Sequence, residues 1–460
     1  MALKTLETRA LVLVVAGVMS IGMAATAILG AQQTAPAAAA SPTFSADVAP
    51  ILYARCVTCH RPGEVAPMSL ITYKDVRPWA GSIREKVMSR VMPPWHADRQ
   101  YGTFRNEQSL TQNEIDTIVK WASAGAPEGD PSRMPALPKF PDGWQIGTPD
   151  VVLEMPTAYE IPARGDIEYQ YFSVPTNFTE DRWMQAGEVR AGDRAHVHHI
   201  IVYVQEPNPS ARPSVMTNRP ITSVASAPLV APAAARPAIA QQVAPRAAAA
   251  RSPVARTGDQ MLVNWAVGED APVFLPGMAK RIPKGSTLVF QVHYTTNGTP
   301  GTDRSRIGLI FAKEPPAREV RTGMITNPLF AIPAGASNHE VAAEGTFTED
   351  VSVWSLHPHM HLRGKDMTFT ATWPDGRSEV VLRVPKFDFG WQTDYWLAKP
   401  LTLPRGAKLS VTAHYDNSSA NRHNPDPAAT VRWGDQTWEE MMIGFFTYTV
   451  DGKQSASAVR

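Results

Sequence analysis

From about residue 148 to the C-terminus, short apolar runs alternate with turn residues: D-V-V-L-E-M, I-E-Y-Q-Y-F-S-V, H-H-I-I-V-Y-V, S-T-L-V-F-Q-V-H-Y, R-I-G-L-I-F-A, V-S-V-W-S-L-H, M-T-F-T-A-T-W, E-V-V-L-R-V and L-S-V-T-A-H-Y. None continues into an amphipathic helical pattern, so the pattern predicts an all-β region. Sandwich domains run to roughly 100–150 residues, and two in tandem, 148–325 and 326–460, fit the length. Inside the first, A-P-L-V-A-P-A-A-A-R-P-A-I-A-Q-Q-V-A-P-R has no core-forming period. The range 207–257 therefore reads as a disordered Ala/Pro-rich insertion between strands.

The N-terminal part has a different period. In F-S-A-D-V-A-P-I-L-Y-A-R-C, Val48, Ile51 and Leu52 are helically spaced behind Ser45 as a cap. A second helix is expected across Arg77–Arg90. In T-Q-N-E-I-D-T-I-V-K-W, Thr111 and Glu114 have capping-box spacing ahead of Ile115, Ile118 and Val119. Residues 44–130 thus read as a small all-α unit, joined to the β region by a Pro-rich linker, 131–147. The fold expected is multidomain: one small helical domain, then two β-sandwiches.

Residues 1–31 read as a targeting segment. Lys4 and Arg9 precede a charge-free apolar run that leaves through small residues between Ala25 and Ala31, the pattern of a signal peptide. The run is also nearly long enough to span a bilayer uncleaved, which leaves a membrane anchor open. Residues 32–43 read as a tether. A periplasmic or otherwise exported location is expected. The formal net charge of +1 and 19% charged residues provide no strong field for nucleic acid. The 41 prolines favour β-rich domains with long loops over helical bundles.

The chain has two cysteines, Cys56 and Cys59, and hence no disulfide framework. In C-V-T-C-H they lie one helical turn apart with His60 adjacent. That spacing lets both sulfurs bond one haem while His60 binds its iron. A thioredoxin-like dithiol would want a strand before it, and a zinc site a second cysteine pair; this chain offers neither. Covalent c-type haem is the expected cofactor. For the sixth iron ligand, Met92 in V-M-P-P-W is favoured because Met/His ligation suits electron transfer, with Met68 and His96 as rivals.

Of the 12 histidines, ten lie between 196 and 423, and six of those fall in H-V-H-H (196–199) and H-P-H-M-H (357–361). Neutral imidazoles at i and i+2 share one strand face and can grip one metal. No thiolate is available there, so zinc or copper through nitrogen is expected. Alternation alone pairs His196 with His198 and leaves His357/His359 against His359/His361 open.

The order of these motifs resembles the copper type II, ascorbate-dependent monooxygenases, which include peptidylglycine α-hydroxylating and dopamine β-monooxygenases. The resemblance covers about 150–460 and implies two jelly-roll-like sandwiches, each with one copper. Matching an H-H pair that enters an apolar strand, then Q-V-H-Y, implies His198, His199 and His293 as the first copper site. H-M-H-L-R-G-K and then G-D-Q-T-W-E-E-M-M-I-G-F-F imply His359, His361 and Met441 as the second, oxygen-activating site. Adjacent His198 and His199 cannot both point one way from a regular strand, so a twist or bulge is expected there.

The resemblance also has gaps. The family's peptide hydroxylases carry an arginine and a tyrosine where this chain has His357 and Phe445, so peptidylglycine is not the expected substrate. His196 and His357 are left as orienting or spare residues, His414 as structural, and Met442 as the rival of Met441. The expected function is hydroxylation of a C–H bond of a small molecule with O2. Electrons would come through the haem from ascorbate or a periplasmic redox protein. The alternative is a non-catalytic haem/copper electron-transfer or copper-binding protein.

Overall fold

A computed structural model describes residues 41–62, 64, 66–140, 143–207, 216–221, 261–266, 268–269 and 271–452. The expected export segment 1–31, nearly all of the tether 32–43 and most of the 207–257 insertion lie outside these residues. The fold is mostly β, and the α-helices among the described residues all lie in its first part: α1 (Ala49–Arg55), α2 (Tyr73–Val76), α3 (Ala80–Met88) and α4 (Gln112–Ser123). None is long and apolar enough to cross a membrane.

The capping box read from the sequence starts α4. Thr111 Oγ1 accepts from Glu114 N at 3.2 Å, and the Glu114 carboxylate accepts from Thr111 N at 2.6 Å. One face of α4 buries Ile115, Ile118 and Trp121 against Phe44, Val48 and Leu52. The Ser45 cap is not made. The first turn starts two residues earlier, at Thr43, with the Asp47 carboxylate taking the Thr43 N–H at 2.7 Å, while the Ser45 hydroxyl donates to the Glu128 carbonyl. The helix expected over Arg77–Arg90 begins with a 3-10 turn at Arg77–Trp79 before α3, because Pro78 has no N–H to continue the ladder.

Residues 95–106 leave this helical unit. Trp95, Ala97 and Phe104 are buried in the core of the C-terminal sandwich. The Tyr395 ring stands 5.0 Å from Trp95 and 5.5 Å from Phe104. Arg105 N donates to Trp396 O, and Ala398 N to Thr103 O, both at 2.8 Å. The segment thus lies along the edge of strand Tyr395–Leu403, while the rest of the helical unit keeps a core of its own, from Phe44 to Ala126.

All nine apolar runs become strands. One eight-stranded sheet crosses both expected sandwiches, in the order Val151–Glu154, Arg306–Phe311, Arg182–Arg190, Met278–Ile282, Arg318–Thr326, Ile443–Val450, Val351–His359, Tyr395–Leu403. Its halves join through a short parallel pairing of Met278 with Arg318. Strand Arg318–Thr326 pairs along most of its length with Ile443–Val450, so the second half begins near 318 rather than 326. Over the first half packs a four-stranded sheet, Gln170–Pro175, Thr287–Tyr294, Val197–Gln205 and Met261–Ala266. The second half is covered by a five-stranded sheet that holds Gly364–Thr372, Lys408–Tyr415 and His339–Phe347. The edge strand of that sheet is Met216–Ile221, antiparallel to His339–Phe347. Residues 216–221 of the expected 207–257 insertion thus form a strand, with backbone pairing contributed by the other half; the Ala/Pro-rich stretch 227–251 lies outside the described residues.

Candidate functional site

His198 and His199 sit on strand Val197–Gln205 and His293 on the neighbouring Thr287–Tyr294, with His199 paired directly across from His293. The register shifts between Val197 and His199, so a bulge falls at His198 as the adjacent pair predicts. It turns both side chains to one side. The ligating nitrogens of the three imidazoles all lie within 4.8 Å of one another. His198 Nδ1 faces His199 Nδ1 at 2.9 Å, and His293 Nδ1 is buried with no hydrogen-bond partner. Only one of two facing ring nitrogens can donate, and an orphaned buried nitrogen costs free energy. A cation accepting all three lone pairs resolves both problems, so these residues fit a metal.

Their electrostatics agree. Burial pushes His198 down to about 4 and, with the neighbouring His198, pushes His293 down to about 3. His199 is driven well below the usual imidazole value by burial and by the other histidines. All three are held neutral, the form that binds metal. His196 is not part of the cluster. Its Nδ1 meets the Asp193 carboxylate at 2.7 Å and its Nε2 the Thr299 carbonyl at 3.1 Å, so both nitrogens are committed. His414 is likewise held by Asp366, at 2.7 Å.

His359 ends strand Val351–His359, His361 follows it, and their rings stand 5.4 Å apart at 89°. Each has its Nδ1 engaged, His359 with Gln392 Oε1 at 2.5 Å and His361 with the Glu439 carbonyl at 3.2 Å. That fixes the tautomer and leaves Nε2 as the free lone pair on both rings. Met441 lines a cavity of about 70 Å³ together with His199, His359, His361, Tyr169 and Trp433. Met442 points the other way, fully buried in the sandwich core. Of these two neighbours Met441 is therefore the one that shares a cavity with the histidines; Met324 lines the same cavity.

Glu440, which the sequence reading passed over as part of E-E-M, ties these loops together. Its buried carboxylate accepts from the backbone N–H of His361 (2.8 Å), Arg363 (2.7 Å) and Met441 (3.2 Å). Phe389 was also missed. Its ring stacks on His198 at 5.1 Å and 14°, and lies 5.7 Å from His293 and 6.0 Å from His361. The two histidine clusters thus face each other across one phenyl ring. Nothing in F-D-F-G-W-Q marks that role.

In the helical unit, Cys56, Cys59, His60, Met68 and Met92 line one cavity of about 780 Å³. No disulfide joins the cysteines. The Cys56 thiol, pushed up to about 12 by burial, is neutral. His60 Nδ1 contacts the Met68 carbonyl at 3.2 Å, which fixes the ring and its tautomer. A cavity of that size, with two thiols, an oriented imidazole and thioethers on its wall, fits a macrocyclic cofactor. Met92 and Met68 both reach it; His96 is not on its wall.

No protein-family model matches the chain, and no curated protein matches it. Solved structures with some likeness include an allantoicase (9% identity, 56% of this chain and 79% of that one, TM-score 0.15). Another is the infectious bursal disease virus Gt strain (11% identity, 67% and 72%, TM-score 0.17). Superpositions this poor carry no argument about fold or function.

Proposed function

We propose that the chain is an exported copper-dependent monooxygenase with a covalent c-type haem, hydroxylating a C–H bond of a small molecule with O2. The observation that carries the reading is convergence. Motifs spread from 198 to 441 meet as two facing clusters, one of three imidazoles and one of two imidazoles beside a thioether. Three neutral imidazoles tolerate both copper oxidation states, whereas a soft thioether favours Cu(I) and leaves coordination open for O2. Copper at both clusters would supply one-electron chemistry and oxygen activation, and haem at Cys56, Cys59 and His60 would relay electrons from ascorbate or a periplasmic redox protein.

The chain's own residues hold and orient. Gln392 and the Glu439 carbonyl keep Nε2 of His359 and His361 free of a proton; Glu440 fixes the spacing of His361 and Met441. The aromatic wall of Tyr169, Tyr203, Trp433 and Phe445 around Met441 suits an apolar substrate, and Phe445 offers no hydroxyl to a peptide carboxylate. The loop 387–394 adjoins every centre: Trp391 lines the helical cavity, Phe389 stacks on His198, and Gln392 holds His359. One feature favours the second reading, a non-catalytic haem/copper electron-transfer or copper-binding protein: the cavity beside Met441 is only about 70 Å³.

The test is the metal and haem content of the purified full-length chain, followed by O2 uptake against a panel of small apolar molecules. The reading expects two coppers and one haem per chain, and uptake coupled to a hydroxylated product. Met441→Ala should abolish uptake while copper at His198, His199 and His293 remains. Copper binding without uptake for any substrate supports the second reading; absence of copper overturns both.

A further inference from the structure

Outside the two histidine clusters, a third group of metal-ligating side chains meets at the junction of the sandwiches. His357 comes from strand Val351–His359, Asp394 from the turn before Tyr395–Leu403, and Glu269 from just after Met261–Ala266. One ligand atom from each lies within 4.8 Å of the other two. His357 is 6% exposed, and its Nδ1 is a buried atom without a hydrogen-bond partner. That nitrogen is aimed into the group, 3.5 Å from Asp394 Oδ1, an ion-pair distance with no well-formed hydrogen bond.

The carboxylates are fixed beside it. Glu269 accepts from Asp394 N at 2.8 Å, Asn264 Nδ2 at 3.1 Å and Ala266 N at 3.2 Å. This backbone cradle holds two acids close together. Burial and the Asp394 charge push Glu269 up to about 8. Among the described residues no lysine or arginine forms an ion pair with either acid; the only basic partner is His357. The group thus has two clustered acids and, among the described residues, only the His357 imidazole to balance them, with its Nδ1 making no hydrogen bond.

We propose that Glu269, His357 and Asp394 form a third metal site, for a divalent first-row cation of the zinc class. One imidazole and two carboxylates are nitrogen and oxygen donors that suit zinc, and three protein ligands leave a position for water. Glu269 also borders a cavity of about 50 Å³ shared with Thr58 and Cys59, which provides access. The ion would cross-link the first sandwich, through Glu269, to two neighbouring strands of the second, one of them bearing His359. Its role is a staple that holds the two halves in register, separate from the copper reading.

The test uses the full-length chain stripped with a chelator and then loaded with zinc. The wild type should bind one equivalent more than the Glu269→Gln/Asp394→Asn double variant. A His198→Ala/His199→Ala variant should lose a different equivalent and keep this one. The rise in Tm on adding zinc should shrink in the double variant. Equal stoichiometry in wild type and double variant overturns the proposal. Should the double variant fail to fold, zinc-edge anomalous maps of zinc-soaked wild-type crystals decide. A peak coordinated by His357 supports the site; a map with a peak at His198 and none at His357 overturns it.

Discussion

His359 has one nitrogen for a metal because Gln392 takes the other. The 2.5 Å contact spans 33 residues, and the amide is 5% exposed, so no water can replace it readily. Gln392→Leu preserves the volume and removes the acceptor, freeing the ring to rotate and change tautomer. Metal affinity at the His359/His361 cluster should fall about 10–100-fold, with the His198 cluster unchanged. Chelator competition on the two clusters measures both; equal affinity in variant and wild type would refute a positioning role. At this scale the residues that gather in the two clusters were legible, and the contacts that hold them were not. His198, His199, His293, His359, His361 and Met441 belong to motifs whose order could be matched. Gln392, Glu440 and Phe389 act through contacts made only once distant segments meet, and a single sequence leaves no trace of these. His196 looked equivalent to its neighbours, yet Asp193 three residues away had already claimed it.

Elements were legible where their faces were cleanly apolar or polar. Helix α4 is the plainest case, with a capping box at one end and Ile115, Ile118 and Trp121 on one face. Thr111→Ala removes the acceptor for Glu114 N and should cost about 1 kcal/mol. The midpoint of chemical denaturation, followed by helical circular dichroism, should drop accordingly; Thr111→Ser should restore it. Strands Arg182–Arg190 and Met278–Ile282 escaped notice because charges sit at buried positions. Lys280 is 8% exposed, and its ammonium donates to the carbonyls of Met261 and Leu262 and to the Thr322 hydroxyl. Three acceptors offset the burial of that charge. They come from two other strands, so the run reads as polar until the sheets are assembled. Strand Met216–Ile221 escaped for the opposite reason, because its surroundings have no period at all.

Across the whole molecule, the sequence suggests beads on a string, whereas the structure is interleaved. One sheet runs through both sandwiches, a strand from the first half edges the second, and residues 95–106 complete a core that begins two hundred residues later. Composition marks linkers but is blind to such exchanges. Phe104 tests the point, since its ring is 7% exposed between Trp95 and Tyr395. Phe104→Ala should destabilise the C-terminal sandwich by about 3–5 kcal/mol, as for other buried aromatics. Limited proteolysis of the 326–450 region in urea would show it. An unchanged cleavage midpoint would mean that the helical unit is a separable bead.

The bond from Asn106 to Asp394 spans 288 residues of chain. At synthesis rates of about 5–20 residues per second, the partner is made roughly 15–60 s after the segment that needs it. During that interval Trp95 and Phe104 have no core to enter, and an apolar stretch waits in the open. The same delay applies to the helical cavity, whose wall includes Gly268 and Trp391. Until those residues arrive, Cys56 and Cys59 are reachable from a side that the finished protein covers. Any chemistry that attaches a group to those thiols has its widest access early, on a chain whose first-made part is among the last to be closed.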